Sequence, residues 1–198
     1  MKKIVLFDYG VGNLHSLGKA LARHGHTVNV ERDARRIAGE AALVLPGVGA
    51  FGPAAAALAP QRDHILAALA DGLPCLAICL GMQLLFERSE ESEGAGLGWI
   101  AGSVRRLNAP RVPQMGWNAV ETSADPLFDD VTGLVAWYAN SYVCEVADPT
   151  AGIARSQYMG DHFAAGVRRG NTWGVQFHPE KSAAAGLRII DNFLDCIE

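Results

Sequence analysis

The chain has 198 residues, enough for one domain with a full core, and its 49% hydrophobic and 19% charged residues are ordinary for a globular protein. The formal net charge of -4, with 17 basic residues scattered in short pairs such as Arg35-Arg36, Arg105-Arg106 and Arg168-Arg169, argues against a nucleic-acid binder.

The opening MKKIVLFDYG puts two lysines before an apolar run too short for a signal peptide, and residues 2–9 read as a buried first strand. NLHSLGKALARHG, residues 13–25, follows as a helix with Asn13 as N-cap and Gly25 as the C′ residue. HTVNVE (26–31) and ALVLP (42–46) are further strands. The uncharged stretch from Ala41 to Gln61 is rejected as a membrane span, because Pro46, Pro53 and Pro60 would repeatedly break a helix there. RDHILAALADG (62–72) is a helix, PCLAIC (74–79) a strand and GMQLLFERS (81–89) a helix. This βαβ rhythm predicts a largely parallel sheet with helices on both faces.

The remainder is more β-rich. GSVRRL (102–107), GWNAVE (116–121), GLVAWYANSYVCEV (133–146), FAAGVRRG (163–170) and TWGVQF (172–177) read as short, partly antiparallel strands appended to the sheet. AAAGLRIIDNFLDCIE closes the chain as an amphipathic helix with Leu187, Ile190, Phe193 and Leu194 on one face. No repeat or linker divides residues 1–198, which read as one domain. With no secretory signal, Cys75, Cys79, Cys144 and Cys196 are expected as reduced thiols of a cytoplasmic protein.

Two places carry candidate chemistry. In WGVQFHPEKS, Pro179 fixes its own φ and pushes His178 towards extended backbone. Residues i and i+2 of an extended segment face one way, so Glu180 can orient the His178 imidazole, as in the base half of a triad. The plain alternative is a strand-end histidine beside a solvated glutamate. In Ala77-Ile78-Cys79-Leu80-Gly81, Cys79 lies at a strand-to-helix junction, the layout of a nucleophile elbow. Such a turn lifts the thiol to the sheet edge, the helix start favours thiolate, and the Leu80 N–H can donate to an oxyanion. The alternative is a small buried hydrophobe, as Cys75 reads inside the strand.

Two other patterns are weaker. GVGAFG (47–52) has dinucleotide-site spacing, but it follows the third strand and lacks a matching acid; its glycines still require close backbone approach. His178-Pro179-Glu180 and Pro74-Cys75 resemble zinc-deaminase fragments in the wrong order and spacing, so no metal is expected.

DYGVGN, LPGVGAFG, ICLGMQLLFERSE, GWN and GVQFHPEKS occur in an order and spacing that resemble the glutaminase subunits of imidazole glycerol phosphate synthase, within the class I (triad) glutamine amidotransferases. The resemblance covers essentially the whole chain. It implies an open, three-layer, flavodoxin-like α/β fold and no cofactor. It also implies hydrolysis of L-glutamine to glutamate and ammonia through a cysteinyl thioester, with Cys79 as nucleophile, His178 as base and Glu180 as orienter. Val48, Gly49 and Leu80 would form the oxyanion hole. Gly47, Gln83, Glu91, Ser141 and Tyr142 would contact glutamine. Ammonia would pass to a (β/α)8-barrel cyclase in a heterodimer, with Asn13, Trp117 and Lys181 at the interface. Ala77, Gln114 and Asn140 depart from the family pattern, which has Gly, His and His there. Two other readings stay open: the glutaminase of a different ammonia-channelling synthase, such as that for pyridoxal phosphate, and a non-catalytic module on the same fold.

Overall fold

A computed structural model describes residues 2–10 and 14–197. Its first half is the expected alternation: β1 (Lys3–Phe7), α1 (Leu14–Leu21), β2 (Thr27–Glu31), β3 (Ala42–Leu45), α2 (Phe51–Leu58), α3 (Arg62–Ala70), β4 (Cys75–Ile78) and α4 (Leu80–Leu84). Then come β5 (Arg88–Ser89), β6 (Gly102–Arg106), β7 (Gln114–Ala119), β8 (Glu121–Thr122), β9 (Val135–Asn140), β10 (Tyr142–Val146), β11 (Gly152–Tyr158), β12 (Asp161–Arg169), β13 (Thr172–Val175) and α5 (Ala183–Asp195). The main sheet runs β2-β1-β3-β4-β13-β12-β10-β6-β5, parallel from β2 to β13 and mostly antiparallel beyond. β11 pairs with β12 and β8, and β7 and β9 form a separate antiparallel ribbon.

Strand alternation sorts the core into two layers. Ile4, Leu6, Val44, Leu76 and Ile78 join Leu17 and Leu21 of α1 and Ile189, Ile190 and Phe193 of α5. Val5, Phe7, Leu43, Leu45, Cys75 and Ala77 join residues of α2, α3 and α4 on the opposite face. The central strands β3 and β4 are apolar throughout because both of their faces are covered, whereas the edge strand β2 carries Asn29 and Glu31. Among the described residues, no helix is long and apolar enough to cross a membrane.

Several elements differ from the sequence reading. The prolines between residues 41 and 61 do not prevent a helix: α2 buries Phe51, Ala54, Ala55 and Leu58 at helical spacing. Pro53 lies in its first turn, where the missing N–H has no partner to lose. Burying Phe51 and Leu58 contributes ~2 kcal/mol each, more than the ~1 kcal/mol cost of Gly52. The helix expected over 81–89 ends at Leu84. The N–H groups of Leu97, Ile100 and Gly98 bond the carbonyls of Leu84, Leu85 and Phe86, replacing helical bonds with contacts from a distant loop. α1 is likewise shorter than expected: a 3-10 turn over Arg23–Gly25 follows, with His24 at φ 59. The Asn13 cap lies outside the described residues. The stretch 133–146 is two strands in different sheets, β9 and β10, changing at Ser141. The polar β11, which lacks a clean apolar alternation, forms a hairpin with β12 through Met159 and Gly160, both at positive φ.

The turns after β3 and β4 interlock. A Cβ added to Gly81 would lie 2.2 Å from the Leu45 carbonyl oxygen. Gly81→Ala should therefore destabilise the protein by about 2 kcal/mol or more, although the same change in an open helix stabilises by about 1 kcal/mol. Chemical denaturation of the variant against wild type measures the sign.

Candidate active site

Five strands end in parallel at one edge, and the turns leaving β3, β4 and β13 meet there. Cys79 occupies the turn after β4 with φ 49 and ψ -105, a conformation that a non-glycine residue adopts at a cost of ~1–3 kcal/mol. Its N–H bonds the Val175 carbonyl at 2.7 Å, and its carbonyl accepts from the Gln83 N–H at 3.1 Å. These bonds hold the elbow that places the side chain at the sheet edge. The tight backbone angle thus falls on Cys79 itself. Ala77 lies inside β4, outside the positive-φ residues, with its methyl in the core, so its departure from glycine is accommodated.

His178 continues from β13 in extended backbone, φ -100 and ψ 97, as its proline neighbour requires. Glu180 differs from expectation: it lies in a 3-10 turn over Pro179–Lys181, not in an extended segment. The turn still brings Glu180 Oε1 to 3.0 Å from His178 Nδ1. The His178 N–H donates to the Trp137 carbonyl at 2.9 Å. Ser182 Oγ donates to the His178 carbonyl at 2.7 Å and accepts from the Trp137 N–H at 2.9 Å. Ser182 and Trp137 thus clamp the histidine backbone, a role with no local sequence signal because it joins segments more than forty residues apart.

Burial by itself would lower the His178 imidazole. Its interactions with the Cys79 sulfur and with Glu180 outweigh that, and the group is pushed up to about 9. The arrangement can therefore hold an imidazolium beside Cys79 near neutral pH. Cys75 and Cys144 are buried, and burial raises both thiols, so they stay protonated.

A cavity of about 220 Å³ opens beside Cys79 and His178. It is smaller than the roughly 300–1,000 Å³ of sites for drug-sized ligands and suits a small metabolite. Gly47, Val48, Gly49 and Leu80 line it, as do Gln83, Glu91, Ser141, Tyr142 and Lys181. Gly47 must lack a side chain: a Cβ there would meet the Ile78 carbonyl oxygen at 2.1 Å and the Cys79 Cβ at 2.8 Å. Glu91 also accepts from the Phe51 N–H at 2.7 Å, so it caps α2 and braces the Gly47–Gly49 segment. Size alone would point elsewhere, since a cleft of about 630 Å³ lies at the opposite, amino ends of β3 and β4 beside Ile37 and His64. It contains none of the expected site residues.

Trp117 does not reach the cavity. It is 53% exposed on the outer face of the β7–β9 ribbon, with exposed Met115 and Val135, and packs edge-on against Trp137 at 5.8 Å. Asn13 lies outside the described residues. Asn140 lines the cavity, whereas Gln114 faces Asn140 across the ribbon.

The family profile for glutamine amidotransferase class-I matches residues 5–196. The chain is 43% identical to the imidazole glycerol phosphate synthase subunit HisH of Moorella thermoacetica, over 98% of this chain and 94% of that protein. It is 44% identical to the subunit of the same name from Deinococcus radiodurans, over 96% and 92%. Among solved structures, a chain of PurLQS from Thermotoga maritima superposes with a TM-score of 0.82 at 18% identity, covering all of both chains. A second, described as a glutamine amidotransferase, gives 0.77 at 21% identity over 96% of this chain and 97% of that one.

The His178–Glu180 pair has a pH signature. A histidine raised to about 9 contributes stability that is fully present below its unfolded value of about 6.5 and is lost as pH rises through about 9. Glu180→Gln should lower the thermal midpoint most at pH 6 and progressively less towards pH 10. Melting curves of the two proteins across that range check the expectation.

Proposed function

The chain belongs to the class-I glutamine amidotransferase family, and we propose that it is the glutaminase subunit of an imidazole glycerol phosphate synthase. The observation that carries the reading is the convergence of Cys79, His178, Gln83, Glu91, Ser141 and Tyr142 on one small cavity, from four separated stretches of chain.

In this reading the Cys79 thiolate attacks the side-chain amide carbon of L-glutamine. His178 takes the thiol proton and returns it to the departing ammonia, while Glu180 holds the ring and balances the imidazolium. Water then hydrolyses the γ-glutamyl thioester, giving glutamate and the free thiol. The tetrahedral oxyanion sits near the Leu80 N–H and the Val48–Gly49 segment, where losing one donor costs ~3–4 kcal/mol of barrier. Gly47, Gln83, Glu91, Ser141 and Tyr142 hold the amino acid.

Ammonia passes to a (β/α)8-barrel cyclase subunit in the cytoplasm. That subunit joins it to a ribulosyl phosphate intermediate, forming imidazole glycerol phosphate and an aminoimidazole carboxamide ribotide. The apolar outer face of the β7–β9 ribbon supports docking, because Met115, Trp117 and Val135 are large hydrophobic side chains left in water. Lys181 stands at the cavity rim, where it can meet an acidic group of the partner.

Cys79→Ala should lower glutamate release by at least about a thousandfold, with or without the cyclase subunit, in an assay of glutamate formation. Activity surviving in that variant refutes the assignment. Trp117→Ala should weaken cyclase binding by about tenfold or more in a calorimetric titration, with the melting temperature little changed.

A further inference from the structure

The buried carboxamide of Gln176 has no role in the scheme above, yet its direction is determined by its surroundings. The Tyr142 carbonyl can only accept, so Gln83 turns its amide nitrogen towards it, at 3.1 Å. That nitrogen also lies 3.3 Å from the Gln176 side chain. An amide nitrogen only donates, so Gln176 must offer its oxygen there. Its own nitrogen is thereby directed at Cys79 Sγ, 3.5 Å away. Gln176 is 0% exposed, and its backbone N–H is already used by the Ala165 carbonyl. Two carboxamides in series, anchored by one backbone carbonyl, thus deliver a donor to the candidate nucleophile. Sulfur accepts such a bond weakly as a thiol and more strongly as a thiolate, because bonds to ionised acceptors are the stronger ones.

We propose that Gln176 is a positioning residue of the amidotransferase reaction: its side-chain N–H holds the Cys79 thiolate towards the cavity and ties it, through Gln83, to the Tyr142 backbone in the glutamine-binding wall. The proposal rests on Cys79 being the nucleophile. Gln83 has both amide protons engaged by Tyr142 and Gln176, so only its side-chain oxygen remains to accept from substrate. A ligand that moves Gln83 or Tyr142 is then felt at the sulfur.

The test uses the full-length protein and iodoacetamide, with alkylation of Cys79 followed by peptide mass spectrometry from pH 5 to 10. Cys75, which is 0% exposed, serves as the internal control. Gln176→Met keeps the unbranched shape and removes the donor. It should slow Cys79 alkylation at pH 7 by about tenfold and move the alkylation profile to higher pH by about one unit. In the complex with the cyclase subunit, kcat for glutamine hydrolysis should fall by about tenfold while KM stays within about twofold. Gln83→Leu should give a smaller shift in the same direction, and the double variant should be no slower than Gln176→Met alone.

A purely structural role lowers the melting temperature and leaves the alkylation profile in place; an unshifted profile overturns the proposal, and additive effects in the double variant overturn the relay. Should Gln176→Met fail to fold, Gln176→Leu removes the donor with a smaller apolar side chain and should shift the profile in the same direction. Alkylation requires no glutamine turnover, so this test and the Cys79→Ala assay fail separately.

Discussion

Two backbone segments approach so closely at the carboxyl edge of the sheet that neither tolerates a side chain. Gly47, after β3, lies against the Ile78 carbonyl, and Gly81, after β4, lies against the Leu45 carbonyl. Each turn therefore leans over the end of the neighbouring strand. The interlock confines Cys79 to its positive-φ elbow, with Gly47 directly against its Cβ. It also brings the Gly47–Gly49 segment into the wall of the cavity that Cys79 lines. Glu91 reinforces the arrangement by capping the helix that this segment enters.

Electrostatics within this frame set three effects against one another. Burial opposes charge on His178, and the sulfur and the Glu180 carboxylate oppose burial; the partners win. The balance depends on a short 3-10 turn that no longer needs Glu180 to be extended, since Ser182 and Trp137 hold the His178 backbone from the other side. Trp137 belongs to the ribbon whose outer face carries Trp117. One two-stranded ribbon therefore bears an exposed aromatic side chain on β7 and, through the backbone of β9, the support for the histidine.

The departures at Gln114 and Asn140 illustrate a limit of reading along the chain. In sequence they are two unrelated changes. In the ribbon they are direct cross-strand partners. Both side-chain polar atoms of Gln114 and the Asn140 oxygen are buried without a hydrogen-bond partner. The two positions form one polar site next to the cavity, so their effects on stability are expected to be coupled.

The features legible along the chain were those governed by local rules. Apolar strands, the proline beside His178, the small residues around Cys79 and the glycines of GVGAFG each constrain their own few residues. The parallel half of the sheet and the cysteine, histidine and glutamate candidates were readable for that reason. Tertiary contact decided the rest. It stopped α4 at Leu84 by supplying distant N–H donors, split residues 133–146 between two sheets, and let α2 form despite Gly52 by burying Phe51 and Leu58. It also put Gln176 against Cys79, although 97 positions separate them. Hydrogen-bond direction and close packing depend on which segments meet in space, and no local pattern of residue types encodes that meeting.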